Sequence, residues 1–216
     1  MKIYLIFLLI FIPIFNALFN GKVIKTELMT FNDMLFTKIF VGTPEEDFNL
    51  QLNLSSSIFW LINKDAKLTW KEPYDVHPPK KRYDQKNSST SKILQESIKK
   101  EKINGISISD KIKIGDVPLI KVPFIAAKFG IPEFYRELDP ISGSFGLSPK
   151  NNLHLNSILK NLDKQIITIK IKGGISGGGK IIPVGIGSLT FGGEDNDCNK
   201  YQYVPTGFDW SVGLQN

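Results

Sequence analysis

Phe48-Asn49-Leu50-Gln51-Leu52 runs without a break into Asn53-Leu54-Ser55-Ser56-Ser57-Ile58-Phe59-Trp60, and this stretch decides how the rest of the chain is read. Phe48, Leu50 and Leu52 alternate with polar residues, the period of a half-buried β-strand. Ile58 to Ile62 is a second apolar run, and the small polar residues between the two form a loop. Upstream, Phe36 to Val41 predicts a strand that Gly42-Thr43-Pro44 stops. Strand, turn, strand, loop, strand in this order is a β-rich beginning.

The same pattern continues downstream. Residues 63–92 are polar and contain several prolines, so they read as a long surface connection. Ile106, Ile108, Ile112 and Ile114 predict two alternating strands around Asp110, and Val122 to Ala127 a further one. Pro132 to Asp139 has room for one or two helical turns. Leu155, Ile158, Leu159 and Leu162 fall at helical spacing within Leu153–Leu162. Ile166 to Ile171 alternates again, Gly173 to Gly179 is a flexible turn, and Leu189-Thr190-Phe191 leads to Gly192-Gly193. The expectation is a mostly β barrel or sandwich with short helices. No repeat of fixed period and no linker divides residues 25–216.

The 216 residues, 42% of them hydrophobic and 22% charged, suffice for one substantial core. The net charge of +6 gathers at Lys99, Lys100, Lys102, Lys111 and Lys113 and again at Lys80, Lys81 and Arg82. No nucleic-acid motif accompanies these residues, so they read as solvated strand faces and loops. Lys2 followed by the apolar run Ile3–Phe15 has the build of a secretory leader, assigned to residues 1–20. The run is short for a membrane span and Pro13 interrupts it, although extension to Phe19 leaves an uncleaved anchor as the other reading. No small-x-small pair marks a cleavage site. Cys198 stands alone, which leaves a buried thiol, an intermolecular link, or one half of a bridge with its partner elsewhere.

Several segments resemble the pepsin-like aspartic proteases, and they do so in order. Phe36-Thr37-Lys38-Ile39-Phe40-Val41-Gly42-Thr43-Pro44 is similar to that family's opening strand and turn. Asn53-Leu54-Ser55-Ser56-Ser57-Ile58-Phe59-Trp60 resembles its active-site loop, Asp-Thr-Gly-Ser-Ser-x-Leu-Trp. Asn87-Ser88-Ser89-Thr90, Gly105 through Asp110 with Ile114-Gly115, and Ile141-Ser142-Gly143-Ser144-Phe145-Gly146-Leu147 follow suit. Ser188-Leu189-Thr190-Phe191-Gly192-Gly193-Glu194-Asp195, then Val204-Pro205 and Trp210, complete the series. Each match is weak alone, but together they span nearly all of residues 36–210. The resemblance implies a mostly β acid-protease fold. On it, residues 25–216 are a partial domain, with an N-terminal lobe of closed, double-psi barrel type to about residue 185 and an inter-lobe strand segment from about 186 to 216.

In such an enzyme two carboxylates share one proton, because two close like charges cannot both ionise. One takes a proton from water while the other donates to the substrate carbonyl. Here the position of the first acid is Asn53, whose amide does not titrate. Ser55 replaces a glycine, and its Cβ is expected to crowd the tight loop. Counting back from Gly105, the family's flap tyrosine falls at Ile98, and Lys99-Lys100-Glu101-Lys102 replaces the small residues of the flap tip. The resemblance assigns Ser55, Ser56, Trp60 and Ile98 to the substrate cleft, with simple packing the blander role for Trp60. The second aspartate is expected beyond Asn216, and the disulfide partner of Cys198 in the same missing lobe. Little room for an activating prosegment lies between Phe19 and Lys38.

Other signals read as structural. Asn87-Ser88-Ser89 and Asn53-Leu54-Ser55 are glycosylation sequons; only Asn87 falls in an expected surface loop. Gly174 through Lys180 imitates a phosphate loop but lacks the following Ser or Thr and a helix. His77 and His154 lack ligand-like neighbours, and Asp84, Asp110 and Asp139 read as turn or strand-end residues. No metal, cofactor or nucleic acid is expected. A peptide or protein in the cleft, a second copy or a partner lobe are the partners left open. The resemblance and Asn53 together point to a secreted homologue of aspartic endopeptidases that is catalytically inactive as written. The alternatives are an active endopeptidase whose acids come from a longer or second chain, a non-enzymatic secreted peptide- or protein-binding pseudoprotease, and a truncated product without a stable function.

Overall fold

The computed structural model describes residues 23–31, 34–67, 81–115, 120–131, 141–160, 162, 164–171 and 184–193. The leader-like run, His77, Asp139, the glycine-rich stretch 173–179, Cys198 and Trp210 lie outside the described residues. Ten strands form one sheet: β1 (Ile24–Phe31), β2 (Met34–Val41), β3 (Glu46–Asn53), β4 (Phe59–Ile62), β5 (Lys92–Lys100), β6 (Ile103–Ile114), β7 (Ile120–Phe129), β8 (Ile141–Gly146), β9 (Ile167–Ile171) and β10 (Val184–Phe191). Their spatial order is β5-β6-β7-β4-β8-β3-β2-β1-β10-β9, and an added β6–β2 pairing closes the run from β6 to β2 into a barrel. The β3–β8 and β4–β7 pairs are parallel and the other pairs antiparallel. The mostly β expectation is met.

Period-two alternation sorts the apolar side chains into two cores. Phe48, Leu50 and Leu52 of β3 point into the larger one, as their spacing predicts, with Ile39, Ile108, Ile112, Phe124 and Phe145. Phe36, Trp60, Ile62, Ile125 and Ala127 form the smaller one on the opposite face. The strand β4 is buried throughout, because Phe59 and Leu61 face one core while Trp60 and Ile62 face the other. Such a strand reads as a continuous apolar run.

Three expectations need correction. Ile103–Ile114 is one strand of 12 residues, not two. Asp110 sits in its middle, fully buried, as neither a turn nor a strand-end residue. Its carboxylate accepts from the Tyr83 hydroxyl at 2.8 Å, the Thr90 hydroxyl at 2.7 Å and the Lys111 amide at 2.8 Å. That satisfaction is what lets a charged residue stay inside a strand. The 63–92 connection is likewise not all surface: Tyr83 is buried and bridges in parallel to Asn63. Finally β1, which the sequence reading passed over, pairs with β2 and β10 and carries the buried Ile24 and Leu28.

Among the described residues one helix, α1 (Leu153–Leu159), packs on the barrel. It is shorter than the expected Leu153–Leu162, although Leu162 is still buried. Asn152 caps it: Oδ1 accepts from the Leu155 amide at 2.8 Å, and Nδ2 donates to the carbonyls of Gly146 and Ser148. Asp84 caps the 3-10 turn Gln85–Asn87, in line with a turn role.

Candidate functional site

The strand β3 ends on Asn53, and the chain turns at once. Asn53 Oδ1 accepts from the Ser55 amide at 3.0 Å and the Ser56 amide at 3.1 Å, a side chain closing its own turn. The Asn53 carbonyl accepts from the Leu147 amide at 2.8 Å, and Asn53 pairs in parallel with Gly146 of β8. Ser56 is buried; its carbonyl accepts from the Ser148 amide, and its hydroxyl accepts from the Ile58 amide at 3.1 Å. The loop therefore lies against the end of β8. Gly146 makes that approach feasible, since a Cβ there would stand 2.5 Å from the Ser56 carbonyl oxygen.

Ser55, expected to strain the loop, does not. It is exposed, and among the described residues only Glu101 and Asn151 are non-glycines at positive φ. The Asn53 turn thus tolerates a side chain where the resembling loop has glycine.

Across the loop stands the hairpin of β5 and β6. Lys100 pairs with Ile103, so Glu101 and Lys102 alone make the turn, and Ile98 pairs with Gly105. Ile98 is half-buried and packs on the smaller core. Glu101 Oε1 accepts from the Ser56 hydroxyl at 3.3 Å. This contact brings together groups 45 residues apart, and the sequence carries no signal for it. Trp60 is 5% exposed within the smaller core, so at this position packing is its main role. Of the residues assigned to the site, Asn53 at the catalytic position lies together with Ser55 and Ser56, Ile98 sits on β5 close to the hairpin turn, and Trp60 is buried in the smaller core.

A shallow recess opens beside the hairpin, lined by Ile58, Ile98, Lys100, Phe124, Leu153 and His154 among others. His154 is buried between the rings of Phe59 and Phe145, with centroids at 5.5 and 4.9 Å. Its Nε2 lies 2.7 Å from the Gly146 carbonyl oxygen, which fixes the Nε2–H tautomer. Burial lowers its pKa to about 4; Lys100 adds to the fall and the Gly146 bond opposes it. His154 is thus a structural histidine, neutral at pH 7.

Asn87 is exposed at the end of the 3-10 turn, with its sequon open to solvent on the Asn side. Among the described residues no group of three or more His, Cys, Asp or Glu side chains gathers as metal ligands. No described helix is long and apolar enough to cross a membrane.

No curated protein matched the sequence in a similarity search. The family model described as eukaryotic aspartyl protease matches residues 34–198, from the first strand of the barrel to beyond β10. With the closed barrel, the turn at the end of β3 and the hairpin opposite it, that match shows that the chain belongs to the eukaryotic aspartyl protease family.

Proposed function

We propose that this chain is a secreted member of its family that holds peptide or protein segments between the Asn53 turn and the β5–β6 hairpin without hydrolysing them. The observation that carries the reading is the chemistry of Asn53. Its Oδ1 is engaged by two backbone N–H donors, so its free side is an NH2 group, which donates and cannot accept a proton. An attacking water at this position meets no base. The same NH2 can donate to a carbonyl of a bound peptide, which suits capture better than cleavage. Ile98 supports the reading too, since it offers the groove methyl groups and no hydroxyl. The leader-like run Ile3–Phe15 supports secretion.

Purified protein is expected to give no pepstatin-sensitive cleavage of a denatured protein substrate at about pH 3–5, the range in which a shared-proton acid pair works. Pepstatin-inhibited turnover in that range overturns the non-hydrolytic reading and favours an enzyme whose acids are supplied from elsewhere.

A further inference from the structure

The hairpin tip Lys99-Lys100-Glu101-Lys102 carries three lysines and one acid, and the acid reaches the Ser56 hydroxyl. Lys99, Lys100 and Lys102 are exposed, and no described acid lies within ion-pair distance of any of them. The neighbouring strand end adds to the charge. Asn104 pairs with Phe129, which brings Lys128 and the half-exposed Phe129 beside the tip. The Lys67 amide donates to the Lys128 carbonyl, so Lys67 reaches the same end of the sheet. Against these five lysines stand the exposed Asp65 and Glu96, and Glu101 itself. Glu101 holds a left-handed backbone, φ 52, and lays its carboxylate on the hydroxyl of the buried Ser56. Four lysines elsewhere are answered: Lys113 pairs with Glu45, Lys64 with Asp84, and Lys81 and Lys38 with Asp47.

We propose that Glu101 is a built-in stand-in for the ligand, and that the hairpin tip recognises acidic polypeptide segments. A carboxylate of the incoming segment replaces that of Glu101 on the Ser56 hydroxyl, and Lys99, Lys100 and Lys102 take up the neighbouring negative charges. This rests on the peptide-holding function proposed above and names the class of peptide. Charge complementarity selects the partner. The displaced group is a carboxylate on a serine hydroxyl, and the open edge of β5 offers unpaired backbone groups that an extended polypeptide can use and a nucleic acid cannot. While Glu101 occupies Ser56 the competent state is only partly populated, so the native tip binds more weakly than a tip without the internal anion.

The experiment is fluorescence anisotropy on the full chain with a labelled Glu-rich peptide, the same peptide with Gln for Glu, and a single-stranded oligonucleotide of equal charge. The Glu-rich peptide is expected to bind best, with affinity falling as salt rises. Glu101→Gln is expected to tighten it about threefold to tenfold by relieving the competition. This gain vanishes in a Ser56→Ala background, and Lys100→Glu with Lys102→Glu weakens binding about tenfold or more. Circular dichroism confirms that each variant is folded. Equal binding of the Gln peptide, tighter binding of the oligonucleotide, or no gain from Glu101→Gln overturns the proposal. If the Glu-rich peptide binds preferentially but is cleaved, the non-hydrolytic function fails and the acidic preference stands; if it neither binds nor is cleaved, only the preference fails.

Discussion

Asp110 is fully buried in β6, and no described lysine or arginine pairs with it. Its stability there rests on three donors: the hydroxyls of Tyr83 and Thr90 and the amide of Lys111. Burial pushes the Tyr83 phenol well above its usual pKa, and the neighbouring Asp110 adds to the rise, so Tyr83 remains a donor over the whole working range. Removing the carboxylate leaves donors facing an empty space, whereas removing the phenol leaves Asp110 with two of its donors. Since a buried unsatisfied polar group costs about 1–3 kcal/mol, Asp110→Ala is expected to lose about 2–3 kcal/mol and Tyr83→Phe about 1 kcal/mol. The check is the urea midpoint of each variant at unchanged denaturant slope. An Asp110→Ala protein as stable as wild type would show that the network is ornamental. In sequence Asp110 read as a break between two strands, because a lone acid amid alternating isoleucines is a turn signal. Its partners Tyr83 and Thr90 are 27 and 20 residues away, and local patterning cannot see them.

At the scale of elements, α1 fastens the outside of the barrel to the end of β8. Asn152 and His154 both reach the Gly146 carbonyl, which therefore keeps a donor if either is lost. His154 in the folded protein has its pKa lowered to about 4 by burial, against about 6.5 in the unfolded chain. Below about pH 6.5 the unfolded state takes up a proton that the folded state refuses, so stability falls as the pH drops towards about 4 and levels off beneath it. The gap corresponds to a loss on the order of 3 kcal/mol across that window. His154→Leu is expected to cost little at pH 7, since Asn152 still serves Gly146, and to remove this loss. The measurement is the difference in unfolding free energy between wild type and variant from pH 7 to pH 4. Parallel curves would mean that His154 is not the titrating group. Helix α1 and β3 were legible because each carries its own periodicity, and β4 because it is an unbroken apolar run. The strand β1 was not: Ile24–Phe31 mixes polar and apolar residues, and most of its pairing is with β10, far along the chain. The placement of Asn53 follows from its local turn, whereas the Glu101–Ser56 contact is a matter of tertiary geometry alone.

For the molecule as a whole, the barrel leaves two surfaces with different exposure to processing enzymes. The groove side holds the Asn53 turn, where the carboxamide oxygen is held by the Ser55 and Ser56 amides and the opposing hairpin reaches Ser56, which leaves little room around the nitrogen. The Asn87 side holds an exposed carboxamide at the end of a 3-10 turn, anchored by Ser88, Ser89 and Thr90 to the Thr43 segment. Both asparagines begin a sequon, but a glycan needs room around the nitrogen it joins. A chain that enters the secretory route on its leader-like run is therefore expected to carry a glycan at Asn87 and none at Asn53. Expression in a secreting eukaryotic host, followed by glycosidase treatment and mass measurement, reads out both the route and the site. Asn87→Gln is expected to abolish the enzyme-sensitive mass increment, and Asn53→Gln to leave it intact. Retention of the chain in the cytosol sinks the secreted assignment. A glycan that survives Asn87→Gln would instead place sugar on the groove, where it would obstruct the hairpin and contradict peptide capture there.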